Sequence, residues 1–218
     1  MNKSIKNLFI IGFIYLLLSF GVFLYLEKLN HLVFGWNIFL AMIPLGLTLF
    51  LIKNNLNRYF LAILIILYIL FLPNSFYLIT DFIHLQESHF FTDMSTYNFD
   101  IKIWISLLHI ALGFLLGFIF GNLSLYMIHE KVKNRIGRHS WYLIIAILFL
   151  SSVGIYIGRF LRFNSWDIVR PITLIQKFIS QINPFMLNYT LIMTLILILS
   201  YVSFYHLFNY FRNFNCRK

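Results

Sequence analysis

A stretch in the middle of the chain, LPNSFYLITDFIHL (residues 72–85), carries side chains that could do acid–base chemistry. Four of its polar residues would share one helical face, because they recur at intervals of three and four residues: Asn74, Tyr77, Asp81 and His84. Asp81 and His84 could share a proton. They could also contribute to a metal site, although their spacing matches no familiar metal motif. Whether a metal or another cofactor binds is left open.

A second set of candidate residues lies in the stretch GRFLRFNSWD, residues 158–167. Arginine forks bind phosphates and carboxylates through paired hydrogen bonds, so we predict a substrate-binding wall here, opposite Asn74 and Tyr77. The members of this wall are Arg159, Arg162, Asn164, Trp166 and Asp167. The alternative is structural: an internal ion pair, Arg162 with Asp167 or Arg159 with Asp81, beside Trp166 as an interface anchor.

His109 is a third candidate for acid–base chemistry, because an ionisable residue inside an apolar segment is a functional hypothesis by default. It shares a helical face with glycines, and the next apolar segment has a similar face of small residues. The members are Gly113, Gly117 and Gly121 in the first face and Ser151, Gly154 and Gly158 in the second. We expect the two faces to pack together and to bring His109 near Arg162. The alternative is a neutral histidine bonded to a neighbouring helix.

The elements that must position these residues are membrane helices. The 218 residues are 61% hydrophobic and 11% charged, whereas a soluble domain is about a quarter charged. The apolar blocks are roughly twenty residues long, which matches a hydrocarbon core of about 30 Å. We therefore predict an all-α transmembrane bundle of one domain, residues 1–218. Its six spans are Leu8 to Leu26, Val33 to Ile52, Tyr59 to Thr80, Ile103 to Ile128, Trp141 to Gly158 and Leu187 to Phe211.

The distribution of basic residues predicts the orientation, because lysine and arginine are enriched in cytoplasmic loops. It favours cytoplasmic N- and C-termini, with Asp81, His84 and Arg159 toward the outer side of the plasma membrane. The segment PITLIQKFISQINP, residues 171–184, is too short to span and is predicted to lie in the outer interface. A seven-span alternative would require this segment to cross. The single cysteine, Cys216, excludes an intrachain disulfide.

Four stretches resemble one bacterial family, known as domain of unknown function 1361 and described as predicted membrane proteins. They are WNIFLAMIPL (residues 36–45), LPNSFYLITDFIHL (72–85), Phe99 with Asp100, and GIYIGRFLRFNSWD (154–167). In the family pattern the residues before Tyr77 often read Asn-Ala-Pro, whereas Ser75 and Phe76 follow Asn74 here. A second helix-breaking proline is missing, so we expect a milder kink. The resemblance implies no activity, substrate or catalytic assignment.

Three functions fit these patterns. The first is a membrane-embedded enzyme acting on an anionic lipid or a lipid-linked envelope substrate, with Asp81, His84 and His109 as candidate catalytic groups. The second is a small transporter, because Pro73 and Asn74 resemble the broken helices of transport sites. The third is a non-catalytic subunit that binds a protein partner or forms an oligomer. A nucleic-acid role is excluded, since the basic residues are scattered through loops despite a net charge of +10.

Overall fold

The computed structural model describes residues 3–54, 56–86, 88–93, 95–163, 172, 176, 179–180 and 182–215. The described residues are helical almost throughout and contain no β-strand, and one isolated bridge joins Phe91 and Tyr97. The prediction of an all-α fold is confirmed. The proposed interfacial segment, residues 171–184, lies mostly outside the described residues, as do Asn164, Trp166 and Asp167.

Six α-helices and two 3₁₀ helices follow one another along the described chain. They are α1 (Lys3–Leu26), α2 (Asn30–Lys53), α3 (Arg58–Tyr77), a 3₁₀ helix (Leu78–Leu85), α4 (Ile101–Ile136), a 3₁₀ turn (Gly137–His139), α5 (Ser140–Phe160) and α6 (Pro184–Asn215). The side chain of Asn57 begins α3 by accepting a hydrogen bond from the amide of Phe60 at 2.9 Å. Asp100 begins α4 in the same way, accepting from the amide of Lys102 at 3.0 Å.

Five continuous helical stretches are long and apolar enough to cross a membrane. They are Lys3–Leu26, Asn30–Lys53, Arg58–Leu85, Ile101–Phe160 and Pro184–Phe214. The fourth contains both α4 and α5, which are joined at Gly137 with a φ of 58°, a backbone conformation that favours glycine. The chain reverses there, since Gly117 of α4 and Arg159 of α5 both contact the 3₁₀ helix that follows α3. Whether these helices make six crossings stays a prediction.

Helix α3 lies between α4 and α5, and glycines on both neighbours allow the close approach. A Cβ added at Gly117 would lie 2.7 Å from the carbonyl oxygen of Ser75, and one added at Gly154 would lie 2.6 Å from Cγ of Pro73. Gly158 faces Tyr77. The expectation that the glycine faces of α4 and α5 pack against each other is therefore wrong. Both faces meet residues 73–78 instead, except that Gly113 of α4 meets Tyr15 of α1.

The polar stripe, which consists of Asn74, Tyr77, Asp81 and His84, continues past the end of α3 in a tighter helix. After Pro73 the α-helix runs only to Tyr77, and a 3₁₀ helix carries the chain to Leu85. Side chains three residues apart are eclipsed in a 3₁₀ helix, so Asp81 and His84 stay on one face. Asn74 donates its side-chain amide to the carbonyl of Phe71 at 3.0 Å, which gives the backbone an additional partner beside the proline.

Candidate functional site

A cavity of about 390 Å³ lies over α3, between α2 and α5. Predicted site residues on its wall are Asn74, Tyr77, Asp81, His84 and Arg159. Two further lining residues, Trp36 and Asn37 of α2, were not predicted as site residues. The structure thus places the polar stripe of α3 and the following 3₁₀ helix, together with one arginine of α5, around a single space. Their chemical roles stay predictions.

The centre of this site is an ion pair between Asp81 and Arg159. Nη2 of Arg159 lies 2.5 Å from Oδ1 of Asp81, and the side chains are 16% and 4% exposed for the arginine and the aspartate. Oδ2 of Asp81 accepts a hydrogen bond of 3.1 Å from the side-chain amide of Asn37. Both carboxylate oxygens therefore have partners, as a buried charge requires. This pair is one of the alternatives that the sequence left open.

Arg159 is held by more than its counter-ion. Its Nε and Nη2 donate to the hydroxyl of Thr80 at 2.8 and 2.5 Å, and that hydroxyl donates to the carbonyl of Tyr77 at 2.6 Å. The guanidinium also lies over the Tyr77 ring, 4.4 Å from its centroid, in a cation–π contact. Nη1 has no hydrogen-bond partner among the described residues. The arginine is thus fixed in orientation by contacts to Nε, Nη2 and the face of its guanidinium.

His84 lies on the same wall as the ion pair. It is exposed, and it makes no hydrogen bond or ion pair within the described part of the chain. Its ring lies 5.5 Å from that of Phe34, centroid to centroid. A neutral imidazole ring has one nitrogen that donates a hydrogen bond and one that accepts. This arrangement suits acid–base chemistry on a bound molecule.

Other predicted site residues are not on the cavity wall. Arg162 is exposed, follows the end of α5 with a φ of 56°, and does not line the cavity. His109 is buried and does not line the cavity, and the ring of Phe34 lies 6.1 Å from that of His109 and 5.5 Å from that of His84. The expected meeting of His109 with Arg162 is wrong, because both ring nitrogens of His109 bond elsewhere, to Ser19 and His31.

His109 belongs to a directed chain of buried hydrogen bonds. Ser19 donates its hydroxyl hydrogen to the carbonyl of Tyr15 (2.8 Å), so it accepts from Nε2 of His109 (2.9 Å). With both rings neutral, Nδ1 of His109 then accepts from Nδ1 of His31 (3.1 Å), and Nε2 of His31 accepts from Ser106 (3.4 Å). Every ring nitrogen is satisfied. The neutral, hydrogen-bonded histidine considered from the sequence fits this geometry.

A metal site does not emerge from the described residues. Among them, no group of three or more histidine, cysteine, aspartate or glutamate side chains is placed to hold an ion. The pairing of Asp81 with Arg159 also works against a cation at that carboxylate, since its charge is already balanced.

Apolar helices of spanning length, packed around a polar cavity and a buried ion pair, are the features of a helical membrane protein. Residues 36–200 match the family described as "Protein of unknown function (DUF1361)", and the chain belongs to this family. The matched range contains the lining residues of the cavity from Trp36 to Phe163. No curated protein and no solved structure matches the chain.

Proposed function

We propose that the protein is a membrane-embedded enzyme that binds the anionic headgroup of a lipid or lipid-linked molecule in the cavity over α3. The observation that carries this proposal is the convergence of Asn37, Asn74, Asp81, His84 and Arg159 on one space. In a chain this apolar, polar groups that share a cavity are costly unless they have a ligand or a structural partner. Among the described residues, the ion pair has structural partners, whereas His84 makes no hydrogen bond or ion pair and Nη1 of Arg159 makes no hydrogen bond.

The cavity suits an amphiphile better than a fully soluble molecule. Its wall includes Leu40, Leu70 and Ile157 beside the polar groups, and Val33 and Trp36 at its edge are 47% and 50% exposed. In a bilayer, exposed apolar side chains of a spanning helix contact lipid, so a lipid-anchored substrate could enter from the side. Its acyl portion would stay among these apolar residues while its headgroup met the polar wall.

The headgroup would be recognised by hydrogen bonds of fixed direction. Nη1 of Arg159 is a charged donor, and charge-assisted hydrogen bonds to phosphate or carboxylate are the stronger kind. Asp81 balances the charge of the arginine and holds it in place, so Asp81 acts as a positioning residue. His84 is the group that would transfer a proton to or from the bound molecule.

The topology proposed with this function has six crossings in one domain and cytoplasmic termini. Helices α4 and α5, of 36 and 21 residues, are each long enough to cross, and the chain reverses between them. The end of the bundle opposite the cavity carries Lys53, Arg58, Lys131 and Arg135, the kind of charge that favours the cytoplasm. This orientation supports a cavity that opens toward the outer leaflet of the plasma membrane.

The test is mass spectrometry of lipids and lipid-linked precursors from a strain that lacks the gene. The strain is complemented with the native gene, His84→Gln, Asp81→Asn or Arg162→Ala. We expect a species to accumulate on deletion and to be cleared by the native protein but not by His84→Gln or Asp81→Asn. From the sequence alone Arg162→Ala would abolish function. Because Arg162 is exposed and lies off the cavity, it serves here as the matched control that retains function.

Other outcomes identify other functions. If His84→Gln clears the species as well as the native protein while Asp81→Asn does not, the site binds and moves its ligand without proton transfer, and the enzyme proposal fails. If deletion changes no lipid species, the proposal fails as a whole and a role as a partner subunit takes its place. Equal amounts of each variant in isolated membranes are the control for insertion.

A further inference from the structure

A second cavity lies at the opposite end of the bundle from the candidate site. Its volume is about 420 Å³, and it is bounded by α3, α4, the start of α5 and the connection from α2 to α3. Most of its wall is aliphatic, including Ile65, Ile69, Val132 and Ile147. None of the residues assigned above to the candidate site lines this space.

The polarity of this second cavity changes along its length. Its apolar residues on α3 extend from Leu61 to Ile69, a distance of about 12 Å at 1.5 Å per residue. The deep end lies beside Ile69 and Ile147, within the apolar part of the helices. The other end lies beside Asn54, just past the end of α2, and beside Arg135, in the last turn of α4. Apolar depth with a polar, basic rim is the polarity profile of a phospholipid.

The charges at the rim are positive and not balanced by the cavity wall. Lys131 and Arg135 lie four residues apart on one face of α4, and no described residue that lines the cavity is acidic. Lys131 donates to the carbonyl of Leu51 at the end of α2, at 2.5 Å, which fixes its ammonium at the rim. Arg135 is exposed and has no hydrogen-bond or ion-pair partner among the described residues. Glu130, on the same helix, is instead paired with Arg212.

We propose that this cavity binds one anionic phospholipid, with its phosphate at Lys131 and Arg135 and an acyl chain along α3 between Leu61 and Ile69. The charge complementarity selects an anionic headgroup, and the aliphatic wall selects a chain-bearing molecule over a free phosphate. Since Lys131 also bonds the backbone of α2, the lipid would bridge α2, α3 and α4. This site is independent of the proposed enzymatic function, because it uses a different cavity and different residues.

Native mass spectrometry of the purified full chain tests the site. The protein is titrated in detergent with phosphatidylglycerol or phosphatidylcholine of identical acyl chains. We expect one phosphatidylglycerol to bind in preference to phosphatidylcholine. A cation near a membrane surface contributes about 1 kcal/mol toward an anionic lipid, so Arg135→Gln should weaken that binding about five-fold. Arg138→Gln removes a basic residue at the same end that does not line the cavity, and it should leave binding within about two-fold.

A second pair of variants tests the acyl chain. Ile65 is 43% exposed and lines the cavity, whereas its neighbour Ile66 is 58% exposed and does not. Ile65→Trp should fill the cavity and reduce phosphatidylglycerol binding, while Ile66→Trp should not. Equal loss for Arg135→Gln and Arg138→Gln would show attraction by diffuse charge alone and overturn the proposal. Equal binding of phosphatidylcholine, or no difference between the two tryptophan variants, would overturn it as well.

Discussion

The two ends of the bundle each contain an ion pair between helices, and the two pairs differ in their surroundings. Asp81 and Arg159 are 4% and 16% exposed and lie beside the cavity over α3. Glu130 and Arg212 pair at 2.7 Å but are 25% and 51% exposed. Similar chemical groups are thus buried at one end and partly exposed at the other. Burying the first pair costs more desolvation free energy, which makes it the stronger indication of a functional site.

The network around each pair shows the same contrast. Every donor that holds Asp81 comes from a helix packed around the cavity, and the arginine is stacked on Tyr77 as well. Glu130 instead has a second cation, since Lys133 lies 3.7 Å away on the same helix. Removing one partner therefore leaves an isolated buried charge at the first end but a still-paired charge at the second.

Arg159→Leu should be the most destabilising single change. It leaves the Asp81 carboxylate buried without a counter-ion, which costs about 3–5 kcal/mol in free energy of unfolding. The measurement is the unfolding of purified protein in detergent against native protein. The double variant Asp81→Leu with Arg159→Leu should recover most of the loss, since apolar replacement of a buried pair is often neutral or stabilising. If the double variant is as unstable as the single one, packing and not charge explains the effect.

Gly154→Ala should have the next largest effect. An added Cβ would lie 2.6 Å from Cγ of Pro73, whose ring cannot rotate away, so α3 and α5 must separate at the cavity. Overpacking of this kind costs about 1–3 kcal/mol. Gly46→Ala is the matched control, because a Cβ at Gly46 of α2 would meet no atom within 4 Å. The measurement is the melting temperature of each variant, which should be lower for Gly154→Ala than for Gly46→Ala. Equal melting temperatures would contradict the close packing of α5 on α3.

The sequence predicted those parts of the site that depend on local periodicity. Asn74, Tyr77, Asp81 and His84 lie within eleven consecutive residues of one helical path, so their spacing placed them on one face. Asn37 pairs with a residue 44 positions away, and its only signal was a polar amide inside an apolar segment. His31 bonds a partner 78 positions away and stands near the start of a helix, where a histidine looks like an ordinary surface residue.

The errors in the prediction have equally specific causes. A face of glycines indicates that some helix approaches closely, but it does not identify that helix. Here α3 packs on the glycines of α4 and of α5, which were expected to pack on each other. Helical spacing grouped Arg162 with the site, yet α5 ends at Phe160 and a φ of 56° at Arg162 turns the chain away. Arg159, on the last turn of α5, is the arginine that contacts the polar stripe.

Arg212→Leu should have the smallest effect of these variants and so completes the comparison. The arginine side chain is 51% exposed, and after its removal Glu130 keeps Lys133 and partial contact with solvent or lipid headgroups. Exposed ion pairs contribute about 0–1 kcal/mol, so the free energy of unfolding should change by no more than this. The measurement is the same detergent unfolding used for Arg159→Leu. A loss equal to that of Arg159→Leu would mean that burial does not separate the two ends, and the argument that the buried pair marks a site would fail with it.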